Sequence, residues 1–108
     1  MKRPPGDGAP RIIVCDLGSW AAAALIAEYD PVGDAIRVNV RAVELVRTAL
    51  GDAGADRFVA CAVAHESYHR EHPGCSEAQA HAFASAACGE EMAAFQRVVR
   101  AGIVGAVR

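Results

Sequence analysis

Short runs of alternating apolar and polar residues near the N-terminus predict β-strands. The run at residues 11–16 is rich in β-branched side chains and ends at a glycine, so we expect a strand there. In residues 35–40 apolar side chains occupy every second position, which is typical of a strand with one buried face. Turn residues at 30–34 precede this run, and Tyr29 before them is a candidate for the first arm of a hairpin.

Helical periodicity dominates the rest of the chain, and residues suited to capping a helix flank its apolar stretches. We expect helices from residue 19 to 27 or 28, from residue 39 or 41 to 50, from 57 to about 72, and from 77 to 88, the last continuing after a break or bend to residue 100. Gly51 ends the second of these helices, and residues 52–55 are expected to be loop. Ser76 and Gln79 have the spacing of a capping box, so the next helix begins at residue 77. The glycine-interrupted tail, 101–108, is expected to form a last strand or an arm packed on the body.

These elements predict an α+β fold in which a small β-sheet packs on about four helices. The first ten residues carry three prolines and two glycines, and we expect residues 1–10 to be a disordered leader. Residues 11–108 then form a single domain, because a chain of 108 residues supports one hydrophobic core. Residues 58–64 are apolar on all sides, so the helix that contains them is expected to be buried on most of its surface.

Composition limits the classes of partner and compartment. A formal net charge of −2 gives no argument for a nucleic-acid or anionic membrane partner. The apolar run at residues 20–27 is too short to span a bilayer, and the basic N-terminus lacks the apolar segment of a secretory signal. We therefore expect a cytoplasmic protein. Its four cysteines contain no C-x-x-C pair, and they are expected to be free thiols, three of them small core residues (Cys15, Cys61 and Cys88).

The stretch His65-Glu66-Ser67-Tyr68-His69 carries the most specific chemical signal in the chain. It matches H-E-x-x-H, in which two histidines one helical turn apart can bind one zinc ion (Zn²⁺) through neutral ring nitrogens. Glu66 stands beside the first histidine, where a carboxylate can take a proton from a water on the metal. The spacing thus predicts a zinc site and a general base on one helix.

Two histidines do not complete such a site, since catalytic zinc usually has three protein ligands and one position open to water. The downstream candidates for the third ligand are His72, Cys75, Glu77 and His81. A short turn makes the helices on either side of it antiparallel neighbours, and in the simplest register Glu77 faces His69. His81 then lies beside His65 and shares a hydrogen bond with its ring. Cys75 is a further candidate, either as a thiolate ligand or as a group that blocks the open position.

An H-E-x-x-H helix followed by a helix with E-x-x-x-(D/N) resembles the gluzincin metallopeptidases. Residues 77–84 are also similar to the E-x-E-A-(N/D)-x-F-A stretch of ImmA/IrrE-type peptidases, and the chain has about the length of the minigluzincins. The similarity covers roughly residues 29–88. It implies a minimal zincin-like domain with a central H-E-x-x-H helix and with Glu66 as catalytic base. It also implies a zinc ion held by His65, His69 and Glu77, and a peptide or protein substrate.

The chain departs from that pattern, and the departures leave alternatives open. His81 replaces the usual Asp or Asn, so it competes with Glu77 for the role of third ligand, and Gln79 replaces a second Glu. The metzincin pattern fits less well, because the chain has His72 and Cys75 where that pattern has Gly and His. The alternative function is a metal-binding scaffold or regulatory protein with a structural zinc site. Within this alternative, a C-terminal tail in the cleft would make the chain a latent enzyme. A third hypothesis is a structural zinc site closed by four protein ligands: His65, His69 and Glu77 with either Cys75 or His81.

Overall fold

The computed structural model describes residues 9–18, 26–89 and 91–107, the last five by their backbone alone. In this part of the chain six elements follow one another: β1 (Arg11–Cys15), β2 (Ala27–Asp30), β3 (Ala35–Asn39), α1 (Val40–Glu71), α2 (Glu77–Cys88) and α3 (Glu91–Val107). They confirm the predicted α+β class, but the described residues form three helices, where about four were expected. Most of the expected leader, residues 1–8, lies outside the described ranges.

The three strands lie in the order β1-β3-β2, with β3 parallel to β1 and antiparallel to β2. Both predicted strands are confirmed, and so is the hairpin arm at Tyr29, which pairs with Ile36. The central strand is also the most buried, because Ile36 and Val38 face the helices and are inaccessible to solvent. The strand order places β2 at an edge of this sheet.

The helix expected over residues 19–28 is wrong at its end, because Ala27 and Glu28 belong to β2. Glu28 pairs with Arg37 on β3, and its carboxylate accepts a hydrogen bond of 2.8 Å from the guanidinium. Cross-strand pairs of this kind outweigh the weak local preference for a helix. Residues 19–25, on which the rest of this prediction falls, lie outside the described residues.

α1 joins the two helices that the sequence predicts on either side of Gly51. The predicted break is present, since Gly51 has φ 79° and ψ 179°, a conformation that glycine adopts with little strain. The predicted loop at residues 52–55 is wrong, because the chain returns to helix at once. Gly54 and Ala55 are buried against the core, and Gly54 approaches Leu50 so closely that a Cβ would clash with it. Burial of these small residues stabilises the helical turn that their local sequence does not favour.

The core lies between the sheet, α1 and α3. Phe58 on α1 and Phe95 on α3 meet edge to face with ring centroids 5.5 Å apart, which is a favoured arrangement for aromatic pairs. The tail continues α3 as helix to residue 107, so the expected strand is wrong. Its first turn does pack on the body, because Gly102 lies against Leu45 with no room for a Cβ.

The cysteines differ from expectation at one pair. Cys61 on α1 and Cys88 at the end of α2 form a disulfide, with Cα atoms 5.9 Å apart, whereas Cys15 and Cys75 are free. The prediction of four free thiols is therefore wrong, since the antiparallel packing of two helices brings together residues 27 positions apart. The expectation of a cytoplasmic protein loses that support and stays a prediction. Among the described helices, none combines the length and apolarity needed to cross a membrane.

Candidate metal centre

The candidate site is built where α1 ends and α2 begins. His65 and His69 project from the same face of α1, with ring centroids 5.2 Å apart, as their spacing predicts. The helix ends at His72, and a turn with Gly74 at φ 87° reverses the chain. Ser76 then starts α2 through the predicted capping box, in which its side chain accepts a hydrogen bond from the backbone N–H of Gln79. The two helices are thereby antiparallel neighbours.

This reversal places the carboxylate of Glu77 between the two histidine rings. Its Oε2 lies 3.1 Å from Nε2 of His65, and its Oε1 lies 2.8 Å from Nε2 of His69. One ligand atom from each of the three residues lies within 4.8 Å of the others. The structure thus brings together the predicted set of two imidazole nitrogens and one carboxylate, which is a donor set typical of zinc.

The hydrogen bonding of His69 tests whether this set fits an ion. Its Nε2 is buried, and among the described residues it has no hydrogen-bond partner. Oε1 of Glu77 lies 2.8 Å from this nitrogen, so distance does not prevent a hydrogen bond. The bond is missing because the oxygen lies in an unsuitable direction from the ring. A buried polar atom without a partner is costly. An ion held by the three residues would give this nitrogen the partner that it lacks.

Glu66 lies beside this cluster and is shielded from solvent. Its side chain is 12% exposed, and its Oε2 lies 3.9 Å from Nε2 of His65. Burial, followed by the negative charges of Glu77 and Glu28, raises the pKa of Glu66 to about 7. Its carboxyl group therefore holds a proton far more strongly than an exposed glutamate does.

The other predicted candidates lie near the cluster but outside it. Sγ of Cys75 is 3.3 Å from Nδ1 of His69, whereas Glu77 approaches the other ring nitrogen, Nε2. His81 lies one turn after Glu77 on α2, and within the described ranges it shares a hydrogen bond with Ser85 rather than with His65. The predicted bond between His81 and His65 is therefore absent from the described contacts. His72 caps α1, and its ring stacks on Tyr68 with centroids 4.1 Å apart.

A cleft of about 810 Å³ opens beside the cluster. Besides the three cluster residues, polar groups of Glu66 and His81 line it. Its apolar lining comes from the edge strand β2 and the residue before it (Ala27 and Ile26), from α1 (Phe58 and Ala62) and from α3 (Met92 and Phe95). This volume is that of a small-molecule or peptide-segment site. Within the tail, burial is described only for Ala101 and Gly102, and neither residue lines the cleft.

Sequence reasoning missed an ion pair that joins this cleft to the hairpin turn. Arg70, directly after His69, donates from Nε and Nη2 to the carboxylate of Asp34, at 2.7 and 3.2 Å. The hydroxyl of Tyr29, which lines the cleft, donates to the same carboxylate at 2.7 Å. The Arg70 side chain is 7% exposed, so the pair is well shielded. Asp34 and Arg70 are 36 positions apart, and no local pattern links them.

Comparisons of this chain with family models, with curated proteins and with solved structures find no match. The resemblance to gluzincins therefore rests on the motif residues of the chain itself, and the family assignment stays a prediction.

Proposed function

We propose that this chain is a zinc-dependent peptidase of the gluzincin type, with zinc held by His65, His69 and Glu77. The observation that carries the proposal is the convergence of these three side chains. Glu77 stands on a separate helix, yet its carboxylate reaches both Nε2 atoms. The buried Nε2 of His69, which has no hydrogen bond in the described residues, adds support from a second direction.

Zinc bound there would act as a Lewis acid that polarises a scissile carbonyl and lowers the pKa of a bound water. Glu66 supplies the proton transfer, since its carboxylate lies beside the cluster and faces the same cleft. The Glu66 carboxylate would accept a proton from the water that attacks the carbonyl carbon, and would then deliver this proton to the leaving amine. The apolar side chains of the cleft exclude water and contact the substrate, which is a peptide or protein segment.

A closed structural zinc site is the alternative, and the contacts of the described residues favour it less. A fourth protein ligand would have to come from Cys75 or His81. The thiol of Cys75 approaches the far nitrogen of His69, and His81 bonds to Ser85. The Glu77 side chain is 81% exposed, which suits a site with one face open to solvent.

Metal content tests the ligand set. We would measure zinc per chain by plasma mass spectrometry in wild type, Glu77→Ala and His81→Ala purified in parallel. We expect about one zinc in wild type, loss in Glu77→Ala and retention in His81→Ala, which is the matched control on the same helix. Loss confined to His81→Ala would move the third ligand to that histidine. A wild type that takes up no zinc when it is supplied would overturn the proposal.

Cleavage of a peptide mixture, followed by mass spectrometry, tests the catalytic role of Glu66. Glu66→Gln should keep its zinc and lose about 10²-fold or more in cleavage rate, because the amide cannot accept the proton. Glu71→Gln is the matched control, since Glu71 stands near the end of the same helix, is exposed and does not line the cleft. Undiminished cleavage by Glu66→Gln would remove this residue from the mechanism.

A further inference from the structure

The free thiol of Cys75 lies next to the ring of His69, at the nitrogen whose hydrogen bond normally fixes the tautomer of a metal-binding histidine. A zinc-bound imidazole donates the N–H of its other nitrogen to an acceptor, which sets the tautomer and the ring orientation. For His69 that other nitrogen is Nδ1, because Nε2 faces Glu77. The group found beside Nδ1 is Sγ of Cys75, at 3.3 Å.

The backbone of the turn fixes Cys75 in this position. Its N–H donates to the carbonyl of His72 at 3.0 Å, and Gly74 before it adopts φ 87°. Ser76 after it is held by the capping box of α2. Hydrogen bonds of the turn before it and of the capping box after it therefore fix the backbone of Cys75. Its half-buried side chain points from this rigid backbone towards the ring of His69.

We propose that Cys75 is a positioning residue for the metal centre: its sulfur accepts the N–H of Nδ1 and so presents the Nε2 lone pair of His69 to the ion. This inference rests on the proposed zinc site and deepens it. A sulfur acceptor also adds no carboxylate to the site. A carboxylate there would add a third negative group to a site that already holds Glu66 and Glu77.

Substitutions of Cys75 distinguish a positioning residue from a direct metal ligand. Cys75→Ala removes the acceptor and leaves Nδ1 without its partner. Cys75→Ser supplies a hydroxyl that accepts the same hydrogen bond but binds zinc poorly as a ligand. Cys15→Ala removes the other free thiol, which lies on β1, and is the matched control.

The test is the zinc dissociation constant of these variants, measured by competition with a chromophoric chelator. We expect Cys75→Ala to bind zinc about 10- to 100-fold more weakly, Cys75→Ser to remain close to wild type, and Cys15→Ala to be unchanged. Equal weakening in Cys75→Ala and Cys75→Ser would overturn the positioning role. Unchanged affinity in Cys75→Ala would also overturn it, while the zinc site itself would stand.

Two further measurements separate the inference from the proposed function and from simple misfolding. Cobalt-substituted wild type should lack a sulfur-to-cobalt charge-transfer band, since that band would identify Cys75 as a direct ligand. In the metal-free protein, the effects of Cys75→Ala and His69→Ala on the urea midpoint should be non-additive, because the two side chains touch. Additive effects would mean that the contact is not made. A wild type without zinc affinity would overturn the proposed function and this inference together.

Discussion

The disulfide between Cys61 and Cys88 should contribute a large part of the stability of this chain. It links α1 to α2 and closes a loop of 27 positions in the unfolded state. Loop-closure entropy for that length corresponds to about 3.5 kcal/mol. A domain of this size is typically stable by about 5–15 kcal/mol, so loss of the link would remove roughly 20–70% of the free energy of unfolding.

Urea denaturation of wild type, with and without a phosphine reductant, measures this contribution. The double substitution Cys61→Ser with Cys88→Ser is the control, because the reductant should have no effect on it. Thiol titration in denaturant should find two free thiols in oxidised wild type, those of Cys15 and Cys75, and four after reduction. Four thiols before reduction, or a midpoint that the reductant leaves unchanged, would refute the linkage and the reasoning built on it.

Three other perturbations test the core, the helix cap and the surface charges by denaturation. Phe95→Ala should cost about 3–5 kcal/mol because the ring is buried at the centre of the core, whereas Phe83→Ala, at a side chain 46% exposed, should cost at most about 1 kcal/mol. Ser76→Ala should cost about 1 kcal/mol by removing the cap of α2, and a loss near zero would contradict that role. The backbone N–H of Gly33 is the main cause that lowers the pKa of Asp30 below 3.8. Because the pKa of Asp30 is lowered in the folded state, its charged carboxylate stabilises the fold above pH 3.8, and this stabilisation is lost as the pH falls through the folded pKa. In Asp30→Asn, the free energy of unfolding should therefore decrease less steeply than in wild type as the pH is lowered below about 5. If Asp30→Asn lost stability as steeply as wild type at low pH, the link between the pKa of Asp30 and stability would be contradicted.

The sequence predicted the parts of the site that depend on local geometry. The spacing of His65 and His69 fixes their common face on any helix, and the capping box at Ser76 fixes where α2 begins. The short turn between these features leaves little freedom, so Glu77 returns to the histidines as the antiparallel register requires. The same register was less accurate one turn further on, where His81 bonds to Ser85 on its own helix instead of reaching His65.

The features that sequence reasoning missed depend on contacts between distant segments. The disulfide joins residues 27 positions apart, and the pair of Arg70 with Asp34 spans 36. The continuation of α1 past Gly51 depends on burial of Ala55 in a core that only the assembled fold supplies. Glu28 likewise takes a strand conformation because β3 offers a partner. Propensity and periodicity describe neighbours along the chain, and none of these four outcomes is decided there.

The candidate centre gathers negative charge that the adjacent basic side chain does not balance. Glu66 and Glu77 line one cleft, and the charge of Glu77 is the second cause, after burial, that raises the pKa of Glu66. Arg70 lines the same cleft, but its guanidinium is bound to Asp34. The repulsion acts where α1 ends and α2 begins; the capping box fixes the start of α2 there, and the disulfide ties the other end of α2 to α1. A cation held by the two histidines and Glu77 would reduce this repulsion. The fold therefore uses other contacts to hold two carboxyl groups close together, and a bound metal would lower the electrostatic energy of that arrangement.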